Sequence, residues 1–287
     1  GMGSVAITDH GVLYGNIEFY KEAKKRGIKP IFGMEAYVAA RSMHDKQPGI
    51  DDKRYHLILL AKNNTGYKNL IQLSSKSHLE GFYYKPRVDK KLLREHSEGL
   101  IALSGCLSGE ISRAILSGNK SEAESLIAEY TDIFGKENFY LELQHHPNIP
   151  EQIKLNSELR KLSKKLSLAV VATQDSHYLR PEDAEAQDIL LAIQTGDKIT
   201  DEKRGLTMKD EDFSLKSSQE MAEAFNDIPS ALENTQKIAD MCNTDIELGK
   251  YQLPYFEVPK EKTQDEYLRE LCEKGLAVRY GSKYNES

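Results

Sequence analysis

The chain has 287 residues, of which 39% are apolar and 29% charged, with a formal net charge of −6. That length can bury a full core as one large domain or one plus a partial second, and the composition excludes a disordered polymer. The acidic balance excludes a free-standing nucleic-acid binder working by broad phosphate neutralisation, but not an acidic site whose bound cations reverse the local field. Apolar runs are strand-sized, far below the ~20 residues of a membrane span, so no membrane contact is expected. Nothing marks an export signal, and the widely spaced Cys106, Cys242 and Cys272 suit a reducing cytoplasm rather than a disulfide framework.

In chain order, SVAITDH (4–10) reads as a buried strand, and 16–26 has helical spacing stopped by Gly27. IFGMEAYVAA (31–40) is a strand with Glu35 in its middle, an odd place for a carboxylate without a partner. The polar connection 41–53 shows no helical period, so YHLILLA (55–61) should pair antiparallel with the preceding strand, placing His56 across from residues 35–37. A helix follows over 65–78, then the loop GFYYKPRVD (81–89), a short helix over 88–96 and a strand over 100–104 that runs into Gly105 and Cys106. The spacing predicts helices over 110–116 and 121–134, the second capped by Ser121 with Glu124 three residues on. A strand over 139–143 ends in Gln144, His145 and His146, and a helix over 150–166 has a basic outer face. AVVATQDSH (169–177) closes the series. If its strand ends near Thr173 without a sharp turn, Asp175 and His177 project to one side together.

Strands and helices alternate with short connections, which implies an α/β fold with a mostly parallel sheet. Six strands in this span suit a closed or nearly closed barrel, with ligands gathering at strand carboxyl ends. Beyond His177 the pattern is helical, over 183–194, 217–225 and 229–242, the middle one opening on the capping spacing of Ser217 and Glu220. An extended, proline-bounded stretch over 251–259 reads as a linker. A last helix over 263–277 has Thr263 and Glu266 in capping spacing and an interruption at Gly275.

The unusual polar residues at strand ends and middles are Asp9, His10, Glu35, His56, Cys106, His145, His146, Asp175 and His177. Each alone has an ordinary structural use. Together, imidazole, carboxylate and thiolate on one face suit zinc or manganese, and a central Glu could bridge two ions of a phosphate-ester hydrolase.

SVAITDHG, IFGMEAYVAA, YHLILLAKN, GFYYKPRVD, LIALSGCLSGE, NFYLELQHH and AVVATQDSHY, in that order, resemble the PHP (polymerase and histidinol phosphatase) domain of bacterial DNA polymerase III alpha subunits. The resemblance covers nearly the whole chain. It implies a distorted seven-stranded β/α barrel, related to the TIM barrel, with a divalent metal cluster at one mouth. On that footing His10 and His177 share one ion, completed by Asp175. Glu35 bridges two ions, and His56 and Cys106 hold another. Asp175, His177 and Glu35 would also be the catalytic set, with Asp9 orienting a ligand. His146 is a candidate phosphate contact, His145 is left at the mouth, and Tyr83, Tyr84, Lys85 and Arg87 face nucleic acid or form a docking loop. The family's first strand carries a His-x-His pair that this sequence, starting at Gly1, does not contain. The chain therefore reads as an N-terminally truncated piece. Residues 1–249 would be the PHP domain, with a helical extension from about 183, and 250–287 a linker and the start of a polymerase region.

The expected function is a part in DNA replication within the polymerase subunit. Its partners would be DNA and other holoenzyme subunits, and magnesium would serve the polymerase itself. The domain would act as a metal-dependent 3′–5′ exonuclease. The alternatives are an inactive module bracing the polymerase and docking partner subunits, or a stand-alone phosphomonoesterase.

Overall fold

Period-two alternation sets the faces of the sheet. In a computed structural model describing residues 2–201, 204, 207–209, 211–251 and 253–281, the strands are β1 (Ser4–Ile7), β2 (Lys29–Ala39), β3 (Arg54–Ala61), β4 (Arg87–Val88), β5 (Leu100–Leu103), β6 (Phe139–Gln144) and β7 (Val170–Thr173). The strand order is β1-β2-β3-β5-β6-β7, with β4 pairing β2 off this path. Among the described residues β3 alone runs against its neighbouring strands; the remaining strand pairings are parallel, which agrees with the antiparallel β2–β3 pair expected from the helix-free connection. β1 and β7 lie at opposite ends of the order, yet His10 after β1 and His177 after β7 have ring centroids 6.1 Å apart. The sheet is thus curled into an open half-barrel.

One face of the curl is apolar throughout. Phe32, Met34, Ala36 and Val38 of β2, Leu57 and Leu59 of β3, and Leu141 and Leu143 of β6 belong to one buried cluster. The helices supply the rest of that layer: α1 (Asn16–Lys25), α2 (Asn64–Leu79), α3 (Lys90–Glu95), α4 (Glu110–Leu116), α5 (Lys120–Phe134) and α6 (Pro150–Leu166). The alternate positions form a smaller cluster of Ile31, Ile58, Leu60, Ile101, Leu103, Tyr140 and Val171, closed by Ile238, Ala239 and Cys242. Glu35, His56 and Glu142 share the parity of this second set, so they stand on the same inner face as polar neighbours of an apolar patch.

Past β7 come α7 (Ala184–Thr195), α8 (Ser218–Ala224) and α9 (Pro229–Met241). The open edge of β7 is covered by α9, whose Asn234 amide and Thr235 hydroxyl donate to the carbonyls of Val170 and Ala172. Such cover removes an edge that could otherwise pair with another chain. The chain divides into two compact units, Gly1–Ile246 and Glu247–Ser287. The second holds α10 (Gln264–Tyr280), which opens on the expected Thr263–Glu266 capping box and runs through Gly275 without interruption.

Two other local expectations change. Val88 belongs to a short strand, and α3 starts only after Asp89, whose side chain accepts from Leu92 N–H. The cap of α5 is Asn119, which accepts from Glu122 N–H; Ser121 lies inside the helix. Asparagine two residues earlier captures the free N–H groups first.

Candidate metal centre

β2 and β3 pair Tyr37 with His56 and Glu35 with Ile58, so Glu35 and His56 are diagonal neighbours on the inner face. Because β3 is reversed, its amino-terminal end, carrying His56, lies among the carboxyl ends of the parallel strands. The chain after β1 joins β2 through an isolated bridge of His10 with Glu35, in which Glu35 N–H donates to the Asp9 carbonyl and Gly11 N–H to the Glu35 carbonyl. Gly11 holds a positive φ of 70° there, and a Cβ would meet Pro86 at 2.8 Å. Gly105, with φ of 79°, turns the chain after β5 so closely over His56 that a Cβ would lie 2.7 Å from its carbonyl oxygen. That approach sets Cys106 beside His56. Both glycines are required by the site's geometry.

Side chains converge as a result. One ligand atom from each of His10, Glu35 and His56 lies within 4.8 Å of the others. Glu35 is buried and presents its two oxygens to different partners. Oε1 receives His56 Nδ1, and Oε2 lies 3.4 Å from His10 Nδ1. Cys106 Sγ is 3.5 Å from His56 Nδ1 and 4.0 Å from Glu35 Oε1. Asp175 and His177 stand at the flank of this group. Their strand does end at Thr173, but the backbone turns sharply at Asp175, which has φ of 55°. His177 Nδ1 then sits 2.7 Å from the Asp175 carbonyl and 3.8 Å from its Oδ1.

A family model described as "PHP domain" matches residues 1–146, about half of the chain. The chain belongs to the PHP domain family. It is 50% identical over 282 residues to the DNA polymerase III subunit alpha of Borreliella burgdorferi, a match covering 97% of this chain and 24% of that protein. The subunits of Thermus aquaticus and Treponema pallidum are 45% and 44% identical over 99% and 98% of this chain. The chain spans 24% of the length of each of these relatives.

The donor set of this PHP domain fits a divalent cation. Four ligands at about 2.1 Å from one ion lie roughly 3.4 Å from each other, close to the separations of His10 from Glu35 and of Cys106 from His56. Electrostatics agree. Burial pushes Glu35 up, but the hydrogen bond from His56 and the imidazoles of His10 and His177 outweigh it and hold the carboxyl below its usual range. Burial, then the charge of Glu35, raises Asp175 to about 6. Burial raises the Cys106 thiol well above its usual value, and the carboxylates of Asp175 and Glu35 add to this. Crowded carboxylates whose neighbouring charged groups among the described residues are mainly histidines suit a cation.

The other expected residues of the PHP domain divide. Lys85 is half-buried and close enough for its charge to lower His10, after burial and the neighbouring histidines, and Tyr84 is exposed. Tyr83 is half-buried with its ring 4.6 Å from that of Tyr84. Arg87 faces inward, correcting its reading as an outward contact. It is fully buried, and its guanidinium donates to the carbonyls of Gly81, Asp51, Met43 and Asp45. Its task is to knit two loops together. Asp9 is exposed, and among the described residues no hydrogen bond joins its carboxylate to a candidate ligand. His146 is buried against the ring of Phe213, and His145 is half-buried beside Phe225.

Sequence reasoning missed Glu142. It is buried on β6, accepting from Gly105 N–H at 3.1 Å, Thr173 hydroxyl at 2.6 Å and Gln144 amide at 3.1 Å. Burial is the main reason its carboxyl rises to about 7. It thereby ties the turn that carries Cys106 to the strand that leads to Asp175. A signal was present: Glu142 interrupts FYLELQ as Glu35 interrupts IFGMEAYVAA.

Proposed function

We propose that this chain is the PHP part of a bacterial DNA polymerase III alpha subunit, with a role in DNA replication, and that its inner face is a metal-dependent 3′–5′ exonuclease. The observation that carries the reading is the divided Glu35 carboxylate, with one oxygen toward His56 and Cys106 and the other toward His10. A bridging carboxylate between two cations has that disposition. His10, His177 and Asp175 would hold one ion and His56 and Cys106 another. Zinc or manganese there would supply charge stabilisation and water activation for phosphodiester hydrolysis. Asp175 and His177, joined through the turn after β7, orient the flank where the scissile phosphate enters, and Glu142 holds the two ligand-bearing loops in register. Tyr84 and Lys85 stand at the mouth to meet the DNA strand. Under this reading residues 1–249 are the PHP domain, with its helical extension from about 183, and 250–287 lead toward a polymerase region that uses magnesium. DNA and the other holoenzyme subunits are its partners, in the cytoplasm. Among the described residues no helix is long and apolar enough to cross a membrane.

The test uses the parent subunit, with a labelled single strand and no nucleotides. Manganese or zinc should support trimming from the 3′ end, and Asp175→Ala should abolish it. Trimming that survives in that variant overturns the site. No trimming by the parent favours a bracing and docking module instead.

A further inference from the structure

The carboxyl end of β6 opens beside α6 into a cleft of about 510 Å³. His145 and His146 line it from the strand side, and Asn156, Arg160, Lys161 and Lys164 from the helix. Among the described residues no carboxylate lines it. Positions 153, 157, 160 and 164 recur at helical spacing, so they form one stripe along α6. The helix carries Lys154, Arg160, Lys161, Lys164 and Lys165 against Glu151 and Glu158, a local excess of cations in a chain of net charge −6. Arg160 pairs with Asp227 and Lys161 with Glu158, while Lys164 has no carboxylate partner among the described residues.

Two groups at the cleft are left without partners. His146 is only 3% exposed, and among the described residues neither of its ring nitrogens finds a hydrogen-bond partner. The Nε of Arg160 is buried and unpaired in the same way. Buried polar atoms are nearly always satisfied, so orphans bordering one basic cleft indicate a ligand that accepts hydrogen bonds. The cleft also borders the metal centre. A single ring, Phe213, separates them, with its centroid 4.4 Å from that of His146 and 5.7 Å from that of His177. The segment carrying it is tied to the turn by His177 N–H donating to the Phe213 carbonyl.

We propose that this cleft binds the sugar-phosphate backbone of a single DNA strand, with Arg160 and Lys164 taking successive phosphates and Lys161 a further phosphate at the rim. Arg160 and Lys164 are one turn apart, about 6 Å along the axis, a step comparable with that between phosphates of an extended strand. The strand would run past Phe213 toward His177. This assignment rests on the chain acting on DNA but needs no bound metal, so its test is made in chelator and does not depend on hydrolysis.

The experiment measures fluorescence anisotropy of a short labelled oligothymidylate with the whole chain across a salt series. Lys161→Gln with Lys164→Gln should weaken binding about tenfold at low salt and reduce the salt slope by about 1.4, the value for two phosphate contacts on a single strand. Arginine at both positions should restore it. Lys154→Gln with Lys165→Gln removes the same charge from α6 outside the cleft and should change affinity less than about twofold. Equal weakening by that second pair, or no binding by the unaltered chain, overturns the proposal. Displacement by polyglutamate as effective as by unlabelled oligothymidylate would also overturn it, in favour of an acidic peptide.

Discussion

Glu142 shows how much one buried side chain can organise. Its carboxylate satisfies three donors, two of them from other segments, so an apolar replacement leaves them unpaired. Glu142→Met should cost about 2–4 kcal/mol, read as a lowered urea midpoint. Glu142→Gln should keep most of the stability, because the Thr173 hydroxyl and the Gln144 amide can turn to accept from the new amide. His146 makes a second prediction. Burial is the main cause that depresses its folded pKa to about 4 from 6.5. Above about pH 6.5 neither state is protonated, and the full stability is present. As pH falls toward about 4 the unfolded chain gains a proton that the folded chain refuses, so stability drops, by at most about 3 kcal/mol. His146→Phe should flatten that window in urea titrations at about pH 7 and about pH 5.

At the scale of elements, most boundaries were legible. The helix over 150–166 was read to the residue, since Pro150 can start a helix at no cost and the αL residue Ser167 ends it. Where two caps competed, local spacing was not enough. Asn119→Ala should therefore destabilise the chain by about 1 kcal/mol, and Ser121→Ala by a few tenths at most, compared by thermal unfolding. The turn at Asp175 was also illegible, because a left-handed non-glycine residue is held by its surroundings rather than by its own preference.

For the whole molecule, the curl decides what the inner face can do. It gathers His10 from one end of the sheet and His177 from the other, around carboxylates that repel each other unless a cation intervenes. Added manganese or zinc should raise the melting temperature, chelator should reverse the rise, and Asp175→Asn should reduce it. A few degrees is the expected scale, since about 1 kcal/mol moves a domain of this size by roughly 2–4 °C.

Taken by itself, the sequence determined most of the strands and helices, the antiparallel pairing of β2 with β3, and the residue types available for metal chemistry. Periodicity and capping are local properties, readable within a few residues. It also placed His56 across from residues 35–37, because a helix-free connection favours an antiparallel pair. Only the tertiary structure decided which candidates meet. It turned Arg87 inward to four carbonyls, brought Glu142 between the Cys106 and Asp175 loops, and set a basic cleft one aromatic ring from His177. These depend on strand order and sheet curvature, which arise from contacts between residues far apart in the chain and leave no periodic trace along it.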